Sequence, residues 1–179
     1  MTHAETPTVG PRVVLVGPMG SGKTTVAHLL AEAWELEARD TDADIEAAEG
    51  RTIPEIFVDS GEAEFRRLEV AAVAAALAEH DGVLALGGGA VLDAATRERL
   101  AGHRVVFLKV GLADAVRRVG LAASRPMLLG NVRGRIKALL DERIPVYESV
   151  ATLCVETDGR TPAEVAREIV ERLDQEEAR

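Results

Sequence analysis

Cysteine is almost absent. Cys154 is the only one, so a disulfide framework is excluded and a cysteine-based metal cluster is not expected. It sits in an apolar run and reads as a small buried hydrophobe. Aromatic residues make up 3% of the chain (three Phe, one Tyr, one Trp), so the core must be built mostly from Ala, Val and Leu. Trp34, at the end of the first helical stretch, reads as a packing residue. No segment approaches the roughly 18 uninterrupted apolar residues of a membrane span, and residues 1–12 lack the apolar run of a signal peptide. A cytoplasmic protein without membrane contact is expected, with residues 1–11 as a flexible tail. Positive charge is in deficit too: the formal net charge of −9 argues against a large nucleic-acid surface. His3, His28, His80 and His103 show no metal-ligand spacing.

With 179 residues, 47% hydrophobic and 28% charged, the chain suits one domain over 12–179, and two would be cramped. Short apolar runs at 12–16, 38–40, 83–86, 104–110 and 152–155 read as strands. Helical patterns lie between them at 23–34, 44–49, 52–59, 61–79, 93–101, 113–118, 132–147 and 162–176. The last opens with Thr161 as N-cap, Pro162 at the first position and Glu164 three residues after the cap. Because the strand runs lack strict polar alternation, they suit a sheet covered on both faces. The expected fold is α/β, a three-layer α/β/α domain around a five-stranded parallel sheet, with ligands at the carboxyl ends of the strands.

The most informative segment is 17–24, Gly-Pro-Met-Gly-Ser-Gly-Lys-Thr, which fits the G-x-x-x-x-G-K-[ST] phosphate loop at every fixed position. An apolar run precedes it and a helical pattern follows, the strand–loop–helix context the motif requires. Its glycines let the backbone turn tightly and aim N–H groups at phosphate oxygens, at the positive end of the following helix. Lys23 is then placed for the β- and γ-phosphates and the Thr24 hydroxyl for Mg²⁺. Gly20, Ser21, Gly22, Lys23, Thr24 and Thr25 are the candidate nucleotide contacts.

One acid is missing. Many phosphate-loop enzymes place a magnesium-binding Asp after a second apolar strand, but here Val83-Leu84-Ala85-Leu86 runs into Gly87-Gly88-Gly89. The best substitute is Asp40-Thr41-Asp42-Ala43-Asp44, after the short strand at 38–40. In a locally extended segment Asp42 and Asp44 point the same way. Asp40 shares their parity, so spacing alone does not assign the roles. The triple glycine suits a place where a small ligand touches the main chain. Arginines gather at 66–67, 117–118, 125, 133–135 and 143, consistent with a cleft for anionic ligands in an acidic protein. Two stretches stand outside the sheet framework: a helical insertion at about 44–69, and 120–132, a lid candidate with Gly120 and Gly130 as hinges and Arg125 between them.

Together these pieces resemble the shikimate kinase family. The likeness runs from Val13 to about Leu173: the phosphate loop, the Asp cluster, Ile53-x-x-Ile56-Phe57, Gly61-Glu62-x-x-Phe65-Arg66-Arg67-x-Glu69, Leu86-Gly87-Gly88-Gly89, Arg125-Pro126-x-Leu128 and Arg143-x-x-x-Tyr147. The resemblance implies a P-loop kinase fold and Mg²⁺-dependent phosphorylation of the 3-hydroxyl of shikimate by ATP, in aromatic amino-acid biosynthesis. It implies Asp44 as base and Asp42, with Thr24, as organiser of Mg²⁺. Arg66 and Arg143 would clamp the substrate carboxylate, Glu69 would orient Arg66, and Phe57 and Phe65 would line the ring. Gly87, Gly88 and Gly89 would bind from the backbone, Arg118 and Pro162 would sandwich adenine, and Arg125 would meet the transferring phosphate. A monomer is expected. A kinase of the same architecture acting on gluconate or a nucleoside monophosphate is the nearest alternative.

Overall fold

The computed structural model describes residues 10–122 and 131–179. Five strands, β1 (Val13–Val16), β2 (Ala38–Asp40), β3 (Val83–Ala85), β4 (Val105–Lys109) and β5 (Leu153–Glu156), form one parallel sheet in the order β2-β3-β1-β4-β5. The phosphate-loop strand is therefore central, and β3 separates it from β2.

Residue alternation along β1 explains why a continuous apolar run is needed. Val13 and Leu15 join one buried cluster, with Val26 and Leu30 of helix α1 (Lys23–Ala33) and Val165, Ile169 and Leu173 of helix α7 (Pro162–Glu177). Val14 and Val16 face the opposite way, into a second cluster with Leu84, Leu86, Phe107, Tyr147 and Val73. Both faces are thus covered, by α1 and α7 on one side and by α3 (Ile53–Glu79) and α6 (Val132–Val150) on the other. The arrangement is the three-layer α/β/α fold expected from the sequence.

Local chemistry sets the helix starts. Thr161 caps α7 and Glu164 returns a carboxylate to the Thr161 N–H at 2.7 Å; Thr52 and Glu55 repeat this box at the start of α3. α3 is continuous in trace but broken at Gly61, whose φ of 83° and ψ of 167° lie outside the helix, which matches the two stretches read at 52–59 and 61–79. Asp93 caps α4 (Ala94–Leu100) by accepting the Thr96 N–H at 3.0 Å. Trp34 closes α1 and packs on the first cluster, with the Arg12 guanidinium 4.3 Å over its ring.

Three expectations change. Helix α2 (Thr41–Glu49) begins three residues earlier than the pattern suggested, because the Asp40 carboxylate takes the Asp42 N–H at 2.9 Å and caps it. Gly120 is not at a loop boundary: α5 (Leu112–Ala122) carries it inside a helix. Cys154 is exposed rather than buried, since β5 is the sheet edge: Val155 turns into the core and Cys154 to the opposite face. Gly130 lies outside the described residues.

Candidate functional site

The phosphate loop leaves β1 at Val16 and enters α1 at Lys23. Gly20 and Gly22 have φ of 81° and 89°, in the left-handed region where a side chain is strained. Lys23 Nζ lies inside the loop, donating to Gly17 O at 2.7 Å and Pro18 O at 3.0 Å. Burial lowers its pKa to about 8, opposed by the charges of Asp42 and Asp40. Thr24 and Thr25 are exposed on the first turn of α1, and Thr24 Oγ1 donates to Asp40 Oδ2 at 3.1 Å. On the outer side of the loop a cavity of about 220 Å³ is lined by Gly20, Ser21, Gly22, Arg118, Thr157 and Pro162 among others. Arg118 is locked there by Gly20 O at 3.0 Å and Thr157 O at 3.0 Å. The loop, Arg118 and Pro162 are thus one continuous surface.

On the inner side, the glycines after β3 make room for charge. A Cβ at Gly87 would stand 2.5 Å from Asp42 Oδ1 and 3.0 Å from Glu69 Oε2. At Gly89 it would strike the Arg66 guanidinium, with Cζ 2.9 Å away. Arg143 Nη1 lies 3.6 Å from the same point on Gly88. Glu69 is 3% exposed and accepts Arg66 Nη1 at 2.8 Å, so Arg66 is held by its neighbour one turn on. Arg67 pairs outward with Glu64 at 2.6 Å, so the two adjacent arginines face different ways. Phe65 is buried, Phe57 is partly exposed, and their ring centroids are 4.7 Å apart. Among the described residues, Asp42 Oδ1 and Arg143 Nε are buried without a hydrogen-bond partner. Burial, with Asp40 and Glu69 adding repulsion, raises the Asp42 pKa to about 6.

The family model for shikimate kinase matches residues 19–174. The chain belongs to the shikimate kinase family. It is 59% identical to the shikimate kinase of Salinispora arenicola over 165 residues, 92% of this chain and 99% of the relative. The shikimate kinase of Acinetobacter baumannii, solved in complex with shikimate, superposes with a TM-score of 0.88 at 35% identity, covering 97% of each chain. A gluconokinase from Sinorhizobium meliloti, at 20% identity and a TM-score of 0.58, shares the fold alone; 93% of each chain is covered. As a shikimate kinase the chain is an ATP-dependent enzyme, and the family uses ATP and Mg²⁺.

Placement of the aspartates in this shikimate kinase departs from the sequence reading. Since α2 starts at Thr41, Asp42 and Asp44 sit on a helix, where residues two apart diverge. Asp44 does not join the loop. It accepts Arg39 Nε at 2.6 Å and lines a groove between α2 and α3 with Ala47, Ala48, Leu68 and Ala72. Nor is it Asp42 that meets Thr24, but Asp40. Among the described residues no three His, Cys, Asp or Glu side chains gather for a metal. A Thr24–Asp40 pair beside a phosphate cradle nevertheless fits Mg²⁺, which takes one or two protein ligands and completes its shell with phosphate and water.

Gly87 also plays a different part from the one expected: its N–H is already given to Thr41 Oγ1 at 3.3 Å, so it contributes space rather than a donor. Arg125 lies outside the described residues. Sequence reasoning left Asp40 among the candidate acids without a role, and gave no role to Thr157 or Tyr147. Asp40 had a signal, its shared parity with Asp42 and Asp44, whereas Thr157 and Tyr147 reach the site only through tertiary packing.

Proposed function

We propose that this chain transfers the γ-phosphoryl group of ATP to the 3-hydroxyl of shikimate, giving shikimate 3-phosphate and ADP in aromatic amino-acid (chorismate) biosynthesis. The observation that carries it is Asp42. Its carboxylate has an unpartnered buried oxygen, feels the charge of Lys23 on the donor side, and lies beside Gly87 and Glu69 on the acceptor side.

In this reading Asp42 accepts the hydrogen bond of the acceptor hydroxyl and takes its proton. A pKa near 6 leaves it ionised at neutral pH and still basic enough for the task. Thr24 and Asp40 would hold Mg²⁺, which when bound neutralises charge on the phosphates. Lys23 and the N–H groups of residues 20–25 absorb charge on the phosphoryl oxygens, and Arg118 and Pro162 flank the base. Arg66 and Arg143 offer guanidinium forks to the planar substrate carboxylate. Glu69 holds Arg66, the N–H groups of Gly88 and Gly89 add donors, and Phe57 and Phe65 flank the ring. Arg125 is assigned to the transferring phosphate, and 44–69 and 120–132 to acceptor binding and lid, on sequence grounds alone. The monomer implied by the family resemblance is part of the same proposal. The net charge of −9 argues against a nucleic-acid partner, and among the described residues no helix is long and apolar enough to cross a membrane; a cytoplasmic location without membrane contact is part of the same proposal.

A coupled ADP-release assay with shikimate, gluconate and nucleoside monophosphates, with and without Mg²⁺, tests this. Release should depend on shikimate and on Mg²⁺; signal with gluconate but not shikimate would sink the assignment. Asp42→Asn should lower kcat by about 100-fold or more with little change in the KM for ATP. Asp44→Asn should stay within about twofold of the parent, since it loosens only a partly exposed pair with Arg39 away from the phosphate loop. The reverse pattern would restore the role to Asp44.

A further inference from the structure

Three consecutive glycines carry no side chains to hold their peptides, so something else must aim the N–H groups of Gly88 and Gly89. The Gly87 carbonyl accepts the Ala90 N–H at 3.1 Å, which orients the Gly87–Gly88 peptide and with it the Gly88 N–H. The next peptide has a different anchor. Tyr147, fully buried on α6, donates its hydroxyl to Gly88 O at 2.5 Å across 59 residues of sequence. A trans peptide is planar, with its C=O and N–H pointing oppositely, so gripping Gly88 O sets the direction of the Gly89 N–H. Tyr147 itself is held by Phe107, with ring centroids 5.0 Å apart. It follows Arg143 by one helical turn, so one element sets both the guanidinium beside Gly88 and the clamp on its carbonyl. Burial pushes the phenol pKa above its ordinary value, keeping it a protonated donor.

We propose that Tyr147 is a positioning residue for the acceptor: its hydroxyl fixes the Gly88–Gly89 peptide so that the Gly89 N–H faces the substrate beside Arg66. The proposal rests on the shikimate assignment above. A tyrosine that only satisfied its own buried O–H would contribute stability and nothing to acceptor affinity.

Tyr147→Phe in the full chain separates the two. The KM for shikimate should rise by about fivefold to tenfold, as expected for one misaligned hydrogen bond, while the KM for ATP stays within about twofold. A lower Tm with an unchanged KM for shikimate would overturn the proposal. A second measurement does not depend on that variant folding. Tyr147 is the sole tyrosine, so biosynthetic 3-fluorotyrosine labels this position alone. Its ¹⁹F resonance should move on addition of shikimate and stay in place with ADP; an unmoved resonance with shikimate overturns the proposal. If the parent enzyme fails to phosphorylate shikimate, both readings fall. If the parent is active and Tyr147→Phe binds shikimate normally, only the role of Tyr147 falls.

Discussion

Asp42 should cost the folded chain stability at the pH where the enzyme works, so Asp42→Asn should be more stable than the parent while losing activity. Burial, Asp40 and Glu69 raise the carboxyl pKa from 3.8 to about 6, with the pull of Lys23 already included. Each unit is worth about 1.4 kcal/mol, so two units set an upper limit near 3 kcal/mol. Solvent screening of a partly exposed side chain brings this to about 1–2 kcal/mol. The sign follows from which state loses its proton first. Between pH ~4 and ~6 the unfolded chain ionises while the folded chain holds its proton, so stability present below pH ~4 is lost as pH rises through about 6. Asparagine has no proton to lose and escapes the penalty. Thermal unfolding followed by calorimetry, without nucleotide or Mg²⁺, should therefore show Asp42→Asn melting about 3–6 °C above the parent near neutral pH, with the curves converging below pH ~4. Asp44→Asn, which breaks a partly exposed pair with Arg39, should move the other way by less than about 1 kcal/mol. Coincident parent and Asp42→Asn melting curves at neutral pH would refute the reasoning, because the buried like-charge cluster would then carry no net cost.

The free enzyme should show a bell-shaped dependence of kcat/KM on pH. Its acid limb, near pH 6, falls about tenfold per unit as Asp42 gains its proton, and its alkaline limb begins near pH 8 as Lys23 loses its charge. A flat profile from pH ~5 to ~7 would remove Asp42 as the base. Gly89→Ala places a methyl group against the Arg66 guanidinium. The KM for shikimate should rise about tenfold or more while the ATP KM holds, and an unchanged shikimate KM in steady-state kinetics would mean that Arg66 can swing away freely.

Legibility followed locality. The phosphate loop was readable because eight contiguous residues carry the whole device, and the sheet was readable because β1, β3 and β4 are apolar on both faces. The aspartates were not. Spacing alone suits an extended segment, where Asp42 and Asp44 agree in direction, but an Asp40 cap converts the same letters into a helix, where they diverge. Asp44 then finds Arg39, a partner five residues back that no spacing rule for helices or strands suggests. Cys154 misled for a similar reason: an apolar run says strand, but only its position at the sheet edge says which face is covered.

The missing acid and the triple glycine are one design. Strand β3 lies between the phosphate-loop strand and β2, so a carboxylate carried by β2 or the start of α2 must reach across the end of β3 to serve the donor phosphates. Helix α1 packs over β3 and brings Thr24 to Asp40, which closes the distance on one side. On the other side nothing can close it unless the end of β3 is bare. A side chain at Gly87 would overlap Asp42 and crowd Glu69, and one at Gly89 would displace Arg66. An acid placed directly after β3 would occupy the space through which the acceptor's own ligands approach. Moving the acids one strand outward therefore demands glycine at β3. The resulting bare main chain then needs anchors from elsewhere, Thr41 for the Gly87 N–H and Tyr147 for the Gly88 carbonyl.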